Sequence, residues 1–362
     1  MGPLPKDSLK GFSKSEVVMK NKSIDIYKIA DEAGVSKSTV SRVINNKAGV
    51  SEITREKVSK VIKDLNYKPN SSAKGLASKK TNTIGLVISD ITDPFFSMFV
   101  KGAERKAMEA NYNMMLANSH WVVEEELKCI QMFEEGRVDG ILMISGGGEE
   151  RLDSYLNNLA SHNLDIVVVD RKIDNGEIPK INSDNIDAGY RATKHLIDLG
   201  HKNIAHIKGE DVASSDASKD RVAGYKRALA EAGIKEEIIY PGYFAREEAY
   251  KATKELLQEH PEVTAIFYAS DMMAIGGLKA SKEMNLKIPD DISIVGIDGI
   301  EMAAFMDPPI TTLAQPAYEM GYLGMEKLIK KLEGEVDDSH SEDVIFRMEL
   351  KDRESTTRLK KV

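Results

Sequence analysis

The chain has 362 residues, too many for one ordinary domain, and its 41% apolar and 30% charged residues suit packed cores under a charged surface. No run of 18 apolar residues occurs and residues 1–22 hold no apolar stretch, so neither a membrane span nor a secretory leader is expected. A single cysteine, Cys129, excludes an internal disulfide, and seven histidines without metal-ligand spacing argue against zinc; no cofactor is expected, and a reducing cytoplasm fits. The net charge of -8 hides two opposite halves. Residues 1–80 carry 17 Lys and Arg against 8 Asp and Glu, while the remainder carries 33 against 50. A basic head on an acidic body suits a polyanion-binding module joined to a body that avoids nucleic acid, although a solvated basic tail would give the same charge.

Residues 1–22 read as a polar, flexible arm. From Ser23 to Pro69 three short helical patterns follow. Ile26, Ile29, Ala30 and Ala33 share one face, and Gly34-Val35 breaks the pattern. Val40, Val43 and Ile44 form the inner face of a second helix capped by Ser36. Val58, Val61, Ile62 and Leu65 form that of a third, starting near Ser51 or Thr54. Three short helices around one core, with a glycine in the turn, is the helix-turn-helix plan. The second helix exposes Lys37, Ser38, Thr39, Ser41, Arg42 and Asn45, the side chains that read base edges and grip phosphates.

The run from Ile24 to Asn70, with AGVSKSTVSRVIN at its centre, strongly resembles the DNA-binding domain of the lactose/galactose repressor family. The resemblance implies base reading by Lys37, Ser38 and Arg42. It also implies phosphate contacts or buttressing by Tyr27, Ser36, Thr39, Ser41, Asn45 and Thr54, with Gly49 where some relatives carry a polar contact. Residues 70–82, NSSAKGLASKKTN, read alone as a linker. By the resemblance they form a hinge in which Ala73, Leu76 and Ala77 face the minor groove, Leu76 being the wedge that bends the duplex, and Lys79 grips phosphate.

From Thr83 to the end, short apolar runs alternate with helical patterns. TIGLVIS, NMMLANS, GILMIS and IVVVD form one series; NIAHIKG, TAIFYAS and ISIVGID form a second. VIFRMELKDREST reads as one last strand with a polar end. Such alternation predicts parallel sheets covered on both faces, here two similar lobes. The fold class expected is therefore α/β: an all-α helix-turn-helix domain plus a two-lobed body over residues 83–362. Ligands of such sheets bind beyond the carboxyl ends of the strands. Those ends carry Asp93, Phe95, Phe96, Asp170, Arg171, Asp271, Asp298 and Gln315, joined by Arg221 on a helix and Phe244 after a short apolar stretch. Carboxylates, Arg and Gln with aromatic faces suit a neutral polyol. Individually each has a plainer reading, Asp271 as a helix cap and the phenylalanines as core.

The body resembles the periplasmic sugar-binding proteins and the effector domain of the same repressor family, the ribose-binding type most closely. That resemblance implies sugar contacts at the ten residues just named. It departs at Asp93 and Ser270, where that type has Asn. The function implied is a transcriptional regulator that binds a palindromic DNA operator as a homodimer under control of a ribose-like monosaccharide. A sugar phosphate or a phosphorylated protein partner is the alternative control, and a sugar carrier without a DNA role the remaining one. An enzyme is not expected: Gly146-Gly147-Gly148 lacks phosphate-loop context, and no nucleophile–base set stands out.

Overall fold

The computed structural model describes residues 25–44, 47–67, 80–136, 138–144, 150–162, 164–173, 178–209, 216–335 and 343–360. The chain divides into two compact units, one up to Lys79 and one from Lys80. Asn45, the arm at 1–22, the glycine run at 146–148 and the hinge residues Ala73, Leu76, Ala77 and Lys79 lie outside the described residues.

In the first unit, Asp25 sits in extended backbone and its carboxylate accepts from the Tyr27 and Lys28 amides. That satisfies two orphan donors and starts α1 (Ile26–Glu32). Gly34, at φ +60°, makes the turn that most side chains would resist. Ser36 Oγ then accepts from the Thr39 amide at 3.2 Å and opens α2 (Lys37–Ile44). Ser51 does the same for α3 (Glu52–Asp64) through the Thr54 amide. Ile29, Ala33, Val40 and Val58 are fully buried where the three helices meet.

The second unit holds two six-stranded sheets. Along the chain come β1 (Thr83–Ile88), α4 (Pro94–Glu109), β2 (Asn113–Asn118), α5 (Val123–Gly136), β3 (Gly140–Ile144), α6 (Glu150–Ser161), β4 (Asp165–Val169) and β5 (Lys180–Ser183). Then follow α7 (Asn185–Asp198), β6 (Ile204–Lys208), α8 (Asp216–Glu231), β7 (Ile238–Pro241), α9 (Arg246–Glu259), β8 (Ala265–Tyr268), α10 (Asp271–Glu283), β9 (Ser293–Asp298), α11 (Glu301–Ala304) and β10 (Thr311–Ala314). Last are α12 (Ala317–Glu333), β11 (Val344–Phe346) and β12 (Glu349–Lys351). The first sheet runs β11-β5-β4-β3-β1-β2, wholly parallel. The second runs β12-β10-β9-β8-β6-β7, parallel except for β12.

Alternation along the strands explains the double covering. Ile84, Leu86 and Ile88 of β1 join the core under α4 and α12, while Val87 joins the opposite core under α5 and α6. In the second sheet Ile266 and Tyr268 face α9 and α10, while Ala265 and Phe267 face α7 and α8. A strand buried on both faces must be apolar throughout, as these are.

The chain passes between sheets three times: after β5, after β10, and between β11 and β12. The expected single last strand is thus two, one completing each sheet. Met348, buried with the second lobe's core between them, marks where the chain changes sheets. Residues at these passages lie where the strand ends of both lobes converge. No helix among the described residues is long and apolar enough to cross a membrane.

Candidate effector cleft and DNA-reading face

The strand ends of both lobes surround one cleft, with about 490 Å³ of space between its walls, open solvent included. The first lobe supplies Asp93, Phe95 and Phe96 at the start of α4, Trp121 after β2, Ile144 at the end of β3 and Asp170 after β4. The second lobe adds Ala217 and Arg221 of α8, Phe244 after β7, Ser270 after β8, Asp298 at the end of β9 and Gln315 after β10. Trp121, Asp170, Phe244 and Asp298 have φ of +61°, +50°, +52° and +119°. Non-glycine residues pay about 1–3 kcal/mol for such backbone, so four of them around one cavity mean that the surrounding packing dictates their aim. Phe244 also needs Gly209: a Cβ there would meet the Phe244 ring at 2.2 Å.

Arg221 is buried at the second lobe's wall. Its Nε donates to Asn185 Oδ1 at 2.8 Å, its Nη1 donates to the Ala269 carbonyl, and Nη1 lies 4.0 Å from Asp298 Oδ1. Gln315 Nε2 donates to Asp298 Oδ1 at 2.8 Å. Across the cleft Asp170 Oδ1 accepts from the Ser183 amide at 3.0 Å, and Asp93 Oδ1 caps α4 at the Phe95 amide at 2.8 Å. Burial raises Asp93 to about 6 against the pull of the Phe95 amide. It raises Asp170 against Ser183 and Arg221. Asp298 is pushed well above the usual carboxylate range by burial, opposed by Arg221 and reinforced by Asp93 and Asp271. The aromatic rings bridge the lobes: Trp121 stacks on Phe244 at 5.2 Å and 10°, and Phe96 meets Trp121 edge-on at 5.6 Å.

In the first unit, Lys37, Ser38 and Arg42 are exposed along α2, with Tyr27 and Ser36 exposed beside them and Thr39, Ser41 and Thr54 half-buried. Lys37 Nζ donates to the Tyr27 hydroxyl at 3.0 Å and sits 4.5 Å from its ring centre. The Ser36 hydroxyl bonds those of Ser38 and Thr39 at 2.7 and 2.9 Å. The face is a set of short donors, acceptors and cations on one helix.

Residues 25–70 match the family described as bacterial regulatory proteins, lacI family. Residues 81–354 match the periplasmic binding proteins and sugar binding domain of the LacI family. The chain belongs to the LacI family.

It is a DNA-binding transcriptional regulator of that family, with a sugar-binding-type body. Catabolite control protein A of Priestia megaterium is 35% identical over 92% of this chain and 99% of its own length. The structure of the lac repressor dimer bound to operator and an anti-inducer superposes with a TM-score of 0.81 at 28% identity, covering 93% of this chain and all of that one. A LacI-family regulator from Enterococcus faecium with bound ribose superposes at 0.68 with 28% identity, over 77% of this chain and 100% of that one.

Within this LacI-family body, the structure brings Asp93, Phe95, Phe96, Asp170, Arg221, Phe244, Asp298 and Gln315 to one cavity. Arg171 and Asp271 are not among its lining. Arg171 is 1% exposed and its guanidinium turns to Asp153, at 2.9 Å from Nε and 2.6 Å from Nη2, with Glu126 3.8 Å from Nη1. Asp271 is fully buried beneath the cleft, where Oδ2 accepts from the Gly299 and Ile300 amides at 2.8 and 2.9 Å. Nor is Asp271 the helix cap: Ser270 is, through the Met273 amide. The same strand-end rule that found Asp170 also applied to Trp121, the only tryptophan, just past the end of β2, and it was missed there.

Proposed function

We propose that this LacI-family regulator is a repressor that binds a twofold-symmetric operator as a homodimer, under control of a monosaccharide held between its two lobes. The observation that carries the ligand reading is the convergence of hydrogen-bonding side chains and aromatic rings from both lobes on one cleft. Carboxylates and Arg take hydroxyls in pairs, and rings cover the C–H faces of a sugar. The ribose held by the Enterococcus faecium regulator supports a monosaccharide of that size. Arg221 is the one cation among the described lining residues, which disfavours a sugar phosphate.

In this reading Lys37, Ser38 and Arg42 read base edges while Tyr27, Ser36, Thr39, Ser41 and Thr54 hold phosphates or buttress the reader; the exposure of Lys37, Ser38 and Arg42 along α2 supports it. One such helix touches few base pairs, too few to single out a genomic site, so two heads related by a twofold axis are needed. The lac repressor dimer on its operator supports that assembly. Selection of random duplexes by the full chain should return inverted repeats, and sedimentation at micromolar concentration should give a dimer. A monomer that binds an asymmetric site with full affinity contradicts the proposal.

A further inference from the structure

We infer that the molecule this cleft takes is of monosaccharide size and carries a protonated amine, as an amino sugar does. The inference rests on the monosaccharide reading of the cleft and narrows it. Among the described residues, three carboxylates, Asp93, Asp170 and Asp298, line a single cavity with one guanidinium, Arg221. A second guanidinium one residue from Asp170 does not even the balance, because Asp153 and Glu126 hold Arg171 outside the cavity lining.

The cavity also offers hydrogen-bond acceptors to a cationic donor. Each of the three carboxylates gives one oxygen to the protein, to the Phe95 amide, the Ser183 amide and Gln315 Nε2 respectively, and keeps a second oxygen. Gln315, by donating its amide to Asp298, leaves its carbonyl Oε1 buried with no hydrogen-bond partner among the described residues. Of the donors among the described lining residues, Arg221 uses Nε on Asn185 and Nη1 on Ala269 and keeps Nη2, Trp121 has its indole N–H, and Ser270 has one hydroxyl proton, its oxygen accepting from the Met273 amide at 3.2 Å. An ammonium donates three protons where a hydroxyl donates one, and it brings the missing charge. Phe96 and Trp121 bring to the same cavity aromatic rings of the kind that attract a desolvated cation. Burial has raised Asp93 and Asp298 above the usual carboxylate range, and an adjacent cation acts in the opposite direction on both.

The competing account keeps a neutral sugar and places a proton on the Asp93–Asp298 pair. Calorimetry separates the two. The full-length protein is titrated near neutral pH with glucosamine, galactosamine and mannosamine, with their N-acetyl derivatives, and with glucose, galactose, mannose and ribose, in two buffers of different ionisation heat. An amino sugar is expected to bind at least about tenfold more tightly than its parent and its acetylated form, without proton uptake. Asp93→Asn keeps a side-chain oxygen to cap α4, so the variant is expected to fold while its amine-to-neutral preference drops about tenfold. Two results overturn the inference and leave the monosaccharide site standing: a neutral sugar that binds more tightly than every amine while taking up a proton, or a preference unmoved by Asp93→Asn. Binding of no compound to cooperatively folded protein overturns the monosaccharide reading as well.

Discussion

Asp298 links two other residues of the cleft, since Gln315 donates to it and Arg221 lies 4.0 Å away, and its own backbone sits at φ +119°. Truncating it leaves Gln315 Nε2 without its acceptor and removes the carboxylate that faces the Arg221 guanidinium. Asp298→Ala should therefore weaken effector binding by about 1–3 kcal/mol in calorimetry, and unchanged affinity removes it from the site. On the DNA face the residues divide by role. Arg42→Ala should cost about 1–3 kcal/mol on the selected operator and relax one position of each half-site, whereas Lys79→Ala should weaken all sequences alike and lower the salt slope by about one unit per subunit. Equal losses for both variants on operator and random DNA contradict the assignment of Arg42. Asp271 gives a pH prediction. Burial raises its carboxyl from 3.8 to about 7, so the folded state prefers the protonated form. The stability this contributes is full below about pH 4 and is lost as pH rises through about 7. Asp271→Asn removes the titration but keeps an acceptor for the Gly299 and Ile300 amides. Between those pH values the melting temperature of the native protein should fall relative to the variant's, and parallel curves refute this.

At the scale of elements, α4 and α12 approach so closely that a Cβ on Gly102 would meet the Tyr318 carbonyl oxygen at 2.0 Å, and one on Gly321 the Phe99 carbonyl oxygen at 2.1 Å. Gly102→Ala should destabilise the body by about 1–3 kcal/mol in denaturant unfolding, since backbone cannot step aside as a side chain does. No loss of stability refutes the close approach. The same glycines explain why α12 escaped the sequence reading. AYEMGYLGMEKLIKKLE carries Gly321 and Gly324, which lower helix propensity, and the gain appears only when α4 is in place. By contrast α9, REEAYKATKELLQE, carries no glycine and its helical periodicity is plain. β5 is four residues, Lys-Ile-Asn-Ser, too short for a pattern, and β11 and β12 look continuous until two sheets separate them. The cleft followed the same logic. Asp170 and Asp298 could be read because sheet topology brings strand ends together, whereas Asp271, read by the same rule, turns to the Gly299 and Ile300 amides. The side chain of Arg171 could not be placed, because its direction depends on Asp153 and Glu126, on helices that no local pattern links to it.

At the scale of the whole molecule, a basic head is followed by an acidic body, residues 70–82 being the proposed hinge, and regulation must pass from one to the other. A ligand moves such an equilibrium only by binding its two states unequally. Residues from both lobes line the cleft, so an effector that favours their closed arrangement biases the body toward it, and through the body the segment that carries the heads. Leu76 in that segment is the proposed wedge at the central base step. Leu76→Ala should weaken operator binding, read by gel shift, and leave effector affinity of the free protein intact; loss of both contradicts the role. Reciprocity requires operator and effector to oppose each other by one factor. The most direct measurement is therefore operator titration of the full chain at fixed salt, with and without saturating effector. Effector should weaken operator binding by about 5–150-fold, a coupling of about 1–3 kcal/mol. Unchanged affinity contradicts control through the cleft, and tighter binding makes the effector a co-repressor.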